Sequence, residues 1–113
     1  MESHNILSYP WGHYANLHDN NVHNYKVRKV LLQVGKKISL QSHKTCCKHW
    51  ITCAGSAKVQ LEDKFIILSD NAHVFIPIDA KHSIENVGDQ EIEFIEITMG
   101  DSSNEENIVF YED

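Results

Sequence analysis

From Tyr25 onward, apolar and polar residues alternate in short runs, each closed by a polar turn. Tyr25, Val27 and Lys29 alternate with Lys26 and Arg28 before the run turns apolar at Val30–Leu32, and Gly35-Lys36-Lys37 ends it. Residues 38–43 (Ile-Ser-Leu-Gln-Ser-His) form the next run, with a polar turn at Lys44-Thr45. Residues 48–53 follow, stopped by Ala54-Gly55-Ser56. Residues 57–61 and 64–68 flank Glu62-Asp63, a two-residue hairpin signal without the usual glycine. Further strands are predicted over 73–77, 82–85 and 91–98. In the last, Ile92, Phe94 and Thr98 oppose Glu93, Ile95 and Ile97. Many short strands with almost no helical period predict an all-β, antiparallel fold, either a small β-barrel or a double-sheet jelly roll. Either form protects strand edges that would otherwise template aggregation.

The flanks read differently. Residues 1–24 are polar and rich in His and Asn around the cluster Tyr9-Pro10-Trp11-Gly12 and Tyr14. They are expected to be an arm of one or two short strands packed on the core or on a partner. His13, His18 and His23 recur every five residues, which suits no single helix or strand face, so they are expected to be solvated. The acidic stretch 101–107 reads as loose, and Ile108–Asp113 closes the chain.

At 113 residues the chain is sized for one domain, 1–113. Sixteen acidic against ten basic residues, a net charge of -6, argue against a nucleic-acid partner. No basic amphipathic run, signal-peptide core or spanning segment points to a membrane. Cys46, Cys47 and Cys53 are an odd set, and vicinal cysteines rarely meet disulfide geometry. Reduced thiols in a cytoplasmic protein are the simpler expectation, because a soft-metal site would need a third thiol nearby.

Gly35, Gln41, Ser42, His43, Lys48 and Gly55 follow the spacing of the first cupin motif, and Pro77, Asp79, His82 and Asn86 that of the second. Asn71 and Asp79 stand where glycines are usual. Within the cupins, the chain resembles the mannose-6-phosphate isomerase domain found at the C-terminal end of bifunctional mannose-1-phosphate guanylyltransferases. The residues carrying that resemblance are Pro10-Trp11-Gly12, Tyr25-Lys26-Val27, 38–43, His49-Trp50, Gly55-Ser56-Ala57, Ile76-Pro77, Lys81-His82, Asn86, Ile95-Glu96 with Gly100, and Ile108-Val109. They span about residues 9–110.

The resemblance implies a divalent metal, zinc, manganese or nickel, held by Gln41, His43, position 48 and His82. It implies aldose–ketose isomerisation of mannose 6-phosphate to fructose 6-phosphate, and a homodimer made through the arm. It does not imply guanylyl transfer by these 113 residues alone, which hold no Gly-rich nucleotidyltransferase loop. The family pattern Q-x-H-x-x-R-x-E-H-W is broken in two places: Cys46 replaces the arginine and Lys48 the glutamate. Phe110 replaces a further arginine near the end. A charged ammonium cannot ligate a metal. Lys48 therefore points away, or is deprotonated, or takes the metal's place and bonds Gln41 and the two histidines. It is also the candidate catalytic group, as a desolvated general base or Schiff-base amine. Trp50 shares strand parity with Lys48 and Thr52 and lines the pocket or packs in the core, whereas His49 and Cys53 have the opposite parity. Asn86 and Lys81 join Trp50 as candidate substrate contacts, and Lys26, Arg28, Lys44 and Lys81 are candidate phosphate-binding cations. Two functions remain open: a mannose-6-phosphate isomerase of sugar-nucleotide or polysaccharide metabolism, and a non-catalytic sugar-phosphate-binding or interaction cupin without metal.

Overall fold

The computed structural model describes residues 6–101 and 107–112. Eleven strands are found among them: β1 (Ile6–Tyr9), β2 (Gly12–Asn20), β3 (Tyr25–Leu32), β4 (Lys37–His43), β5 (Cys46–Ala54), β6 (Ala57–Leu61), β7 (Lys64–Leu68), β8 (His73–Ile76), β9 (His82–Asn86), β10 (Ile92–Gly100) and β11 (Ile108–Phe110). They form two antiparallel sheets, ordered β1-β2-β3-β10-β5-β8 and β11-β4-β9-β6-β7. The sheets do not close on each other, so of the two forms expected the fold is the double-sheet jelly roll. Among the described residues no helix is long and apolar enough to cross a membrane.

Alternation fixes which face is inside. Along β10, Ile92, Phe94, Glu96 and Thr98 are buried. Along β5, Cys46, Trp50 and Thr52 are buried while His49 and Cys53 are exposed. Leu32, Val59, Ile76 and Ile84 complete the centre of the core, each at most 1% exposed. The turn residues obey the same logic. Asn71 and Asp79 adopt φ of 68°, so residues tolerant of the left-handed region stand at the two positions where glycine is usual. Glu62 adopts φ of 54° in the glycine-free β6–β7 hairpin. Its carboxylate accepts the Lys81 backbone N–H at 3.0 Å, which offsets part of that strain.

Two features depart from the expected pattern. The N-terminal arm includes a full nine-residue strand, β2, paired along β3 inside the larger sheet. Its polar composition reflects half-buried positions along its length and an exposed stretch at residues 17–19. Gly12 is required at its start, because a Cβ there would lie 2.0 Å from the Leu31 carbonyl oxygen. The second feature is an extra residue in β4. Ile38 pairs with Ile84 and Gln41 with His82, three residues on one strand against two on the other. This bulge lets Ile38 pack against the core while Gln41 and His43, of opposite parity, share the inner face of His82. Within the acidic stretch expected to be loose, residues 102–106 lie outside the described residues.

Candidate functional site

Three cross-strand neighbours build the floor of the site. Arg28 of β3, Glu96 of β10 and Trp50 of β5 are in register, one beside the next. Trp50 donates its indole N–H to Glu96 Oε2 at 2.9 Å. Arg28 lies 3.8 Å from Glu96 Oε1. Lys48, two residues before Trp50 and therefore on the same face, places Nζ 3.3 Å from Glu96 Oε2. The Lys48 side chain is only 12% exposed, so this is a desolvated ion pair and not a surface one. Burial alone would raise the Glu96 pKa, but Lys48, the Trp50 N–H and Arg28 outweigh it and hold the carboxyl down at about 2.

The sequence-nominated residues fall into two groups. Gln41, His43, Lys48, Trp50 and His82 come together. The rings of His43 and His82 stack at 5.2 Å with 23° between planes, and Trp50 meets His82 edge-on at 5.5 Å. His82 Nδ1 lies 2.9 Å from the Ala80 carbonyl, which makes Nδ1 the N–H donor and leaves Nε2 with its lone pair. His43 Nδ1 is buried without a hydrogen-bond partner. Gln41 Nε2 donates to the Ser39 carbonyl at 3.2 Å. Of the three alternatives for Lys48, the residue stays in the pocket, and its partner is Glu96 and not Gln41, His43 or His82.

Asn86, Lys81 and Lys44 do not join this group. Asn86 is 1% exposed and fully engaged by backbone: Nδ2 donates to the carbonyls of Leu32 (2.9 Å) and Gln90 (2.8 Å), and Oδ1 accepts the Gly88 N–H (3.0 Å). It clasps the ends of both sheets. Asn86→Ala is expected to lower the unfolding free energy by about 2 kcal/mol, read from the urea midpoint, because the buried Leu32 carbonyl and the part-buried Gln90 carbonyl and Gly88 N–H lose a partner. Lys81 is exposed, with Nζ 4.6 Å above the Tyr111 ring, and Lys44 is exposed as well.

Glu96 is the residue that sequence reasoning left without a role. Its signal was available: it is the one carboxylate at the parity of Ile92, Phe94 and Thr98. An isolated charge on an apolar face needs a partner, and Lys48 and Arg28 are that partner.

The donor set does not fit a divalent cation. Among the described residues no three His, Cys, Asp or Glu side chains are grouped to hold one. The carboxylate that could balance its charge is already neutralised by Lys48 and Arg28. The histidines also register a positive surrounding. Burial, then Lys48 and His82, press the His43 pKa down to about 3. Burial brings His82 down to about 4, with the Ala80 hydrogen bond opposing and Lys48 assisting.

These shifts share one sign. His43, His82 and Glu96 all have folded pKa values below their unfolded ones, so the unfolded chain binds more protons as pH falls. The stability they lend is complete above the unfolded histidine value of 6.5 and drains away as pH falls towards about 4, 3 and 2. Urea unfolding is expected to show a loss on the order of 2 kcal/mol between about pH 7.5 and 5.5, the histidine part of that window. A flat profile there would mean that the histidines are solvated.

Two chambers open beside Lys48. A larger one, about 550 Å³, is lined by Tyr9, Trp11, Tyr14, Arg28, Gln41, Lys48 and Glu96 among others. Tyr9 stacks on Trp11 at 5.0 Å and 4°, and on Tyr14 at 5.6 Å, and the Arg28 guanidinium lies 4.2 Å from the Tyr14 ring centre. The smaller, about 70 Å³, is lined by Lys26, Arg28, Lys48, His43, Thr45, Thr98, Cys46, Asp101, Asn107 and Ile108.

A double-sheet jelly roll with its polar site between the sheets is the architecture of the cupins. Solved structures agree on the fold: a cupin-2 domain protein from Rhodospirillum rubrum superposes with a TM-score of 0.77 at 15% identity, covering 92% of this chain and 78% of that one. The capsular polysaccharide assembling protein CapF from Staphylococcus aureus gives 0.87 at 18% identity, over 100% of this chain and 33% of its own. Within the cupins, this chain belongs to the mannose-6-phosphate isomerase C-terminal family, whose model matches residues 1–113. A putative mannose-1-phosphate guanylyltransferase from Vibrio cholerae is 40% identical over 89 residues, 79% of this chain and 19% of that protein. The chain thus spans about a fifth of the length of the curated relatives it matches.

Proposed function

We propose that this chain is a cupin that binds a phosphorylated hexose of the mannose 6-phosphate type without a metal ion, as a binding module of sugar-nucleotide or polysaccharide metabolism. The observation that carries this reading is the Lys48–Glu96 pair: a fixed, desolvated ammonium stands where the family pattern places a carboxylate ligand. With Arg28 beside it, the pocket presents cations to an anionic ligand. Family membership and the guanylyltransferase relatives support a mannose phosphate as that ligand.

Catalysis is less well supported than binding. Moving a proton between C1 and C2 of the sugar needs a base whose pKa lies near the working pH. Glu96 at about 2, His43 at about 3 and His82 at about 4 are all tuned far below it. Glu96 is also engaged by Lys48, Arg28 and Trp50.

The test is a thermal-shift and NMR comparison of mannose 6-phosphate, fructose 6-phosphate and mannose, with the NMR samples followed for conversion. Binding of the phosphorylated sugars without interconversion is the expected result. Steady conversion by chelator-treated protein would overturn the non-catalytic reading, and failure to bind either sugar phosphate would overturn the proposal as a whole.

A further inference from the structure

Lys48 and Arg28 line both chambers. They stand as a shared wall with a different chemistry on each side. On the side of the small chamber they are joined by Lys26, which is opposite Thr98 in the β3–β10 register, and by the Thr45 and Thr98 side chains. Three of the chain's ten basic residues therefore converge on one small space in a protein of net charge -6. Asp101 in the lining and Glu96 behind the wall leave these cations in excess. At about 70 Å³ this space is far below the roughly 300 Å³ at which small-molecule pockets begin, so it suits a small anion and not a sugar ring. The other chamber, at about 550 Å³, is inside that range. Its aromatic lining offers apolar surface for the C–H groups of a sugar, and Gln41 offers an amide for hydroxyl groups.

We infer that the pocket is a two-part site: the small chamber of Lys26, Arg28 and Lys48 takes the phosphate group, and the chamber of Tyr9, Trp11 and Tyr14 takes the hexose ring, so that the ligand straddles Lys48. This rests on the sugar-phosphate reading above and adds the orientation of the ligand. Glu96 acts here as a positioning residue. It holds both cations of the shared wall in place through its ion pairs with Arg28 and Lys48.

Inorganic phosphate, mannose and mannose 6-phosphate, titrated separately by NMR, distinguish the parts. The proteins are the wild type, Lys26→Met and Tyr9→Ala, and a melting curve checks that each variant is folded. Both substitutions are at incompletely buried positions and leave the Glu96 cluster intact. Lys26→Met should weaken phosphate and mannose 6-phosphate roughly tenfold each, the loss of one charge-assisted contact, and leave mannose unchanged. Tyr9→Ala should weaken mannose and mannose 6-phosphate and leave phosphate unchanged. If free mannose binds too weakly to titrate, the phosphate and mannose 6-phosphate responses decide. Wild type that binds mannose 6-phosphate, with variants that alter all probes alike or none, would overturn the two-part site while leaving sugar-phosphate binding intact. Wild type that binds no probe would overturn both.

Discussion

Glu96→Gln is expected to lower the unfolding free energy by about 3–5 kcal/mol, the largest stability effect of any single change in the pocket. The substitution keeps the shape of the side chain and an oxygen for the Trp50 N–H, so packing is nearly unchanged. What it removes is the one negative charge between Lys48 and Arg28. An ammonium with 12% side-chain exposure recovers only part of its hydration in place, and the chain bears much of that desolvation cost unopposed. Adding Lys48→Met to Glu96→Gln is expected to restore roughly 1–2 kcal/mol, because the stranded charge is then gone. Equilibrium urea denaturation of the four proteins in this cycle supplies the measurement. A loss below about 1 kcal/mol for Glu96→Gln would place Lys48 in solvent, as for an ordinary surface pair.

Lys48→Glu is expected to convert the pocket to a metal site. It removes the cation that excludes a second one and restores a carboxylate beside His43, His82 and Gln41. The histidine chemistry is already suitable: both imidazoles are neutral at pH 7, and His82 keeps Nε2 as an acceptor because Nδ1 is committed to Ala80. Without metal, the variant should be less stable than wild type, since the introduced carboxylate and that of Glu96 would repel each other at close range. With zinc or manganese at about a thousand times the dissociation constant, it should gain about 4 kcal/mol. Calorimetric titration and elemental analysis of the dialysed protein check this. No binding to the variant at millimolar metal would show that the stacked histidines cannot converge on one ion.

Much of this fold was legible in the chain. The β6–β7 hairpin falls where Glu62-Asp63 placed it, and Ile92, Phe94 and Thr98 do oppose Glu93, Ile95 and Ile97, with the structure turning the first set inward. Alternation records burial directly, because a strand between core and solvent must place every second side chain in each. Three things were not legible. The β4 bulge leaves no mark in residues 38–43, since an unpaired extra residue has no compositional signature; only the register with β9 reveals it. The extent of β2 was hidden because exposed and half-buried strand positions tolerate the same polar residues as loops. The choice between a closed barrel and two sheets depends on how edges meet, about which a period of two says nothing.

The site was half legible for a related reason. Gln41, His43 and His82 were found as a spaced set, and Lys48 was found as the misfit within it. The partner that explains Lys48 lies 48 residues away on β10, within the run Ile92-Glu93-Phe94-Ile95-Glu96-Ile97. Read by parity, Glu96 is the misfit of that strand, and the two misfits are one ion pair. Asn86 illustrates the opposite case: a residue nominated for substrate contact has every side-chain hydrogen-bonding group turned to nearby backbone.

The most direct measurement is a calorimetric titration of mannose 6-phosphate into protein stripped with a chelator, with mannose as the neutral control. Because Lys48 and Arg28 provide the charge that a metal would otherwise bring, the stripped protein should bind mannose 6-phosphate at least roughly tenfold more tightly than mannose, the worth of one charge-assisted contact. Adding zinc, manganese or nickel should leave that affinity unchanged. Binding that appears only after a divalent metal is restored, with one metal per chain by elemental analysis, would contradict the assignment of Lys48 as the pocket's cation.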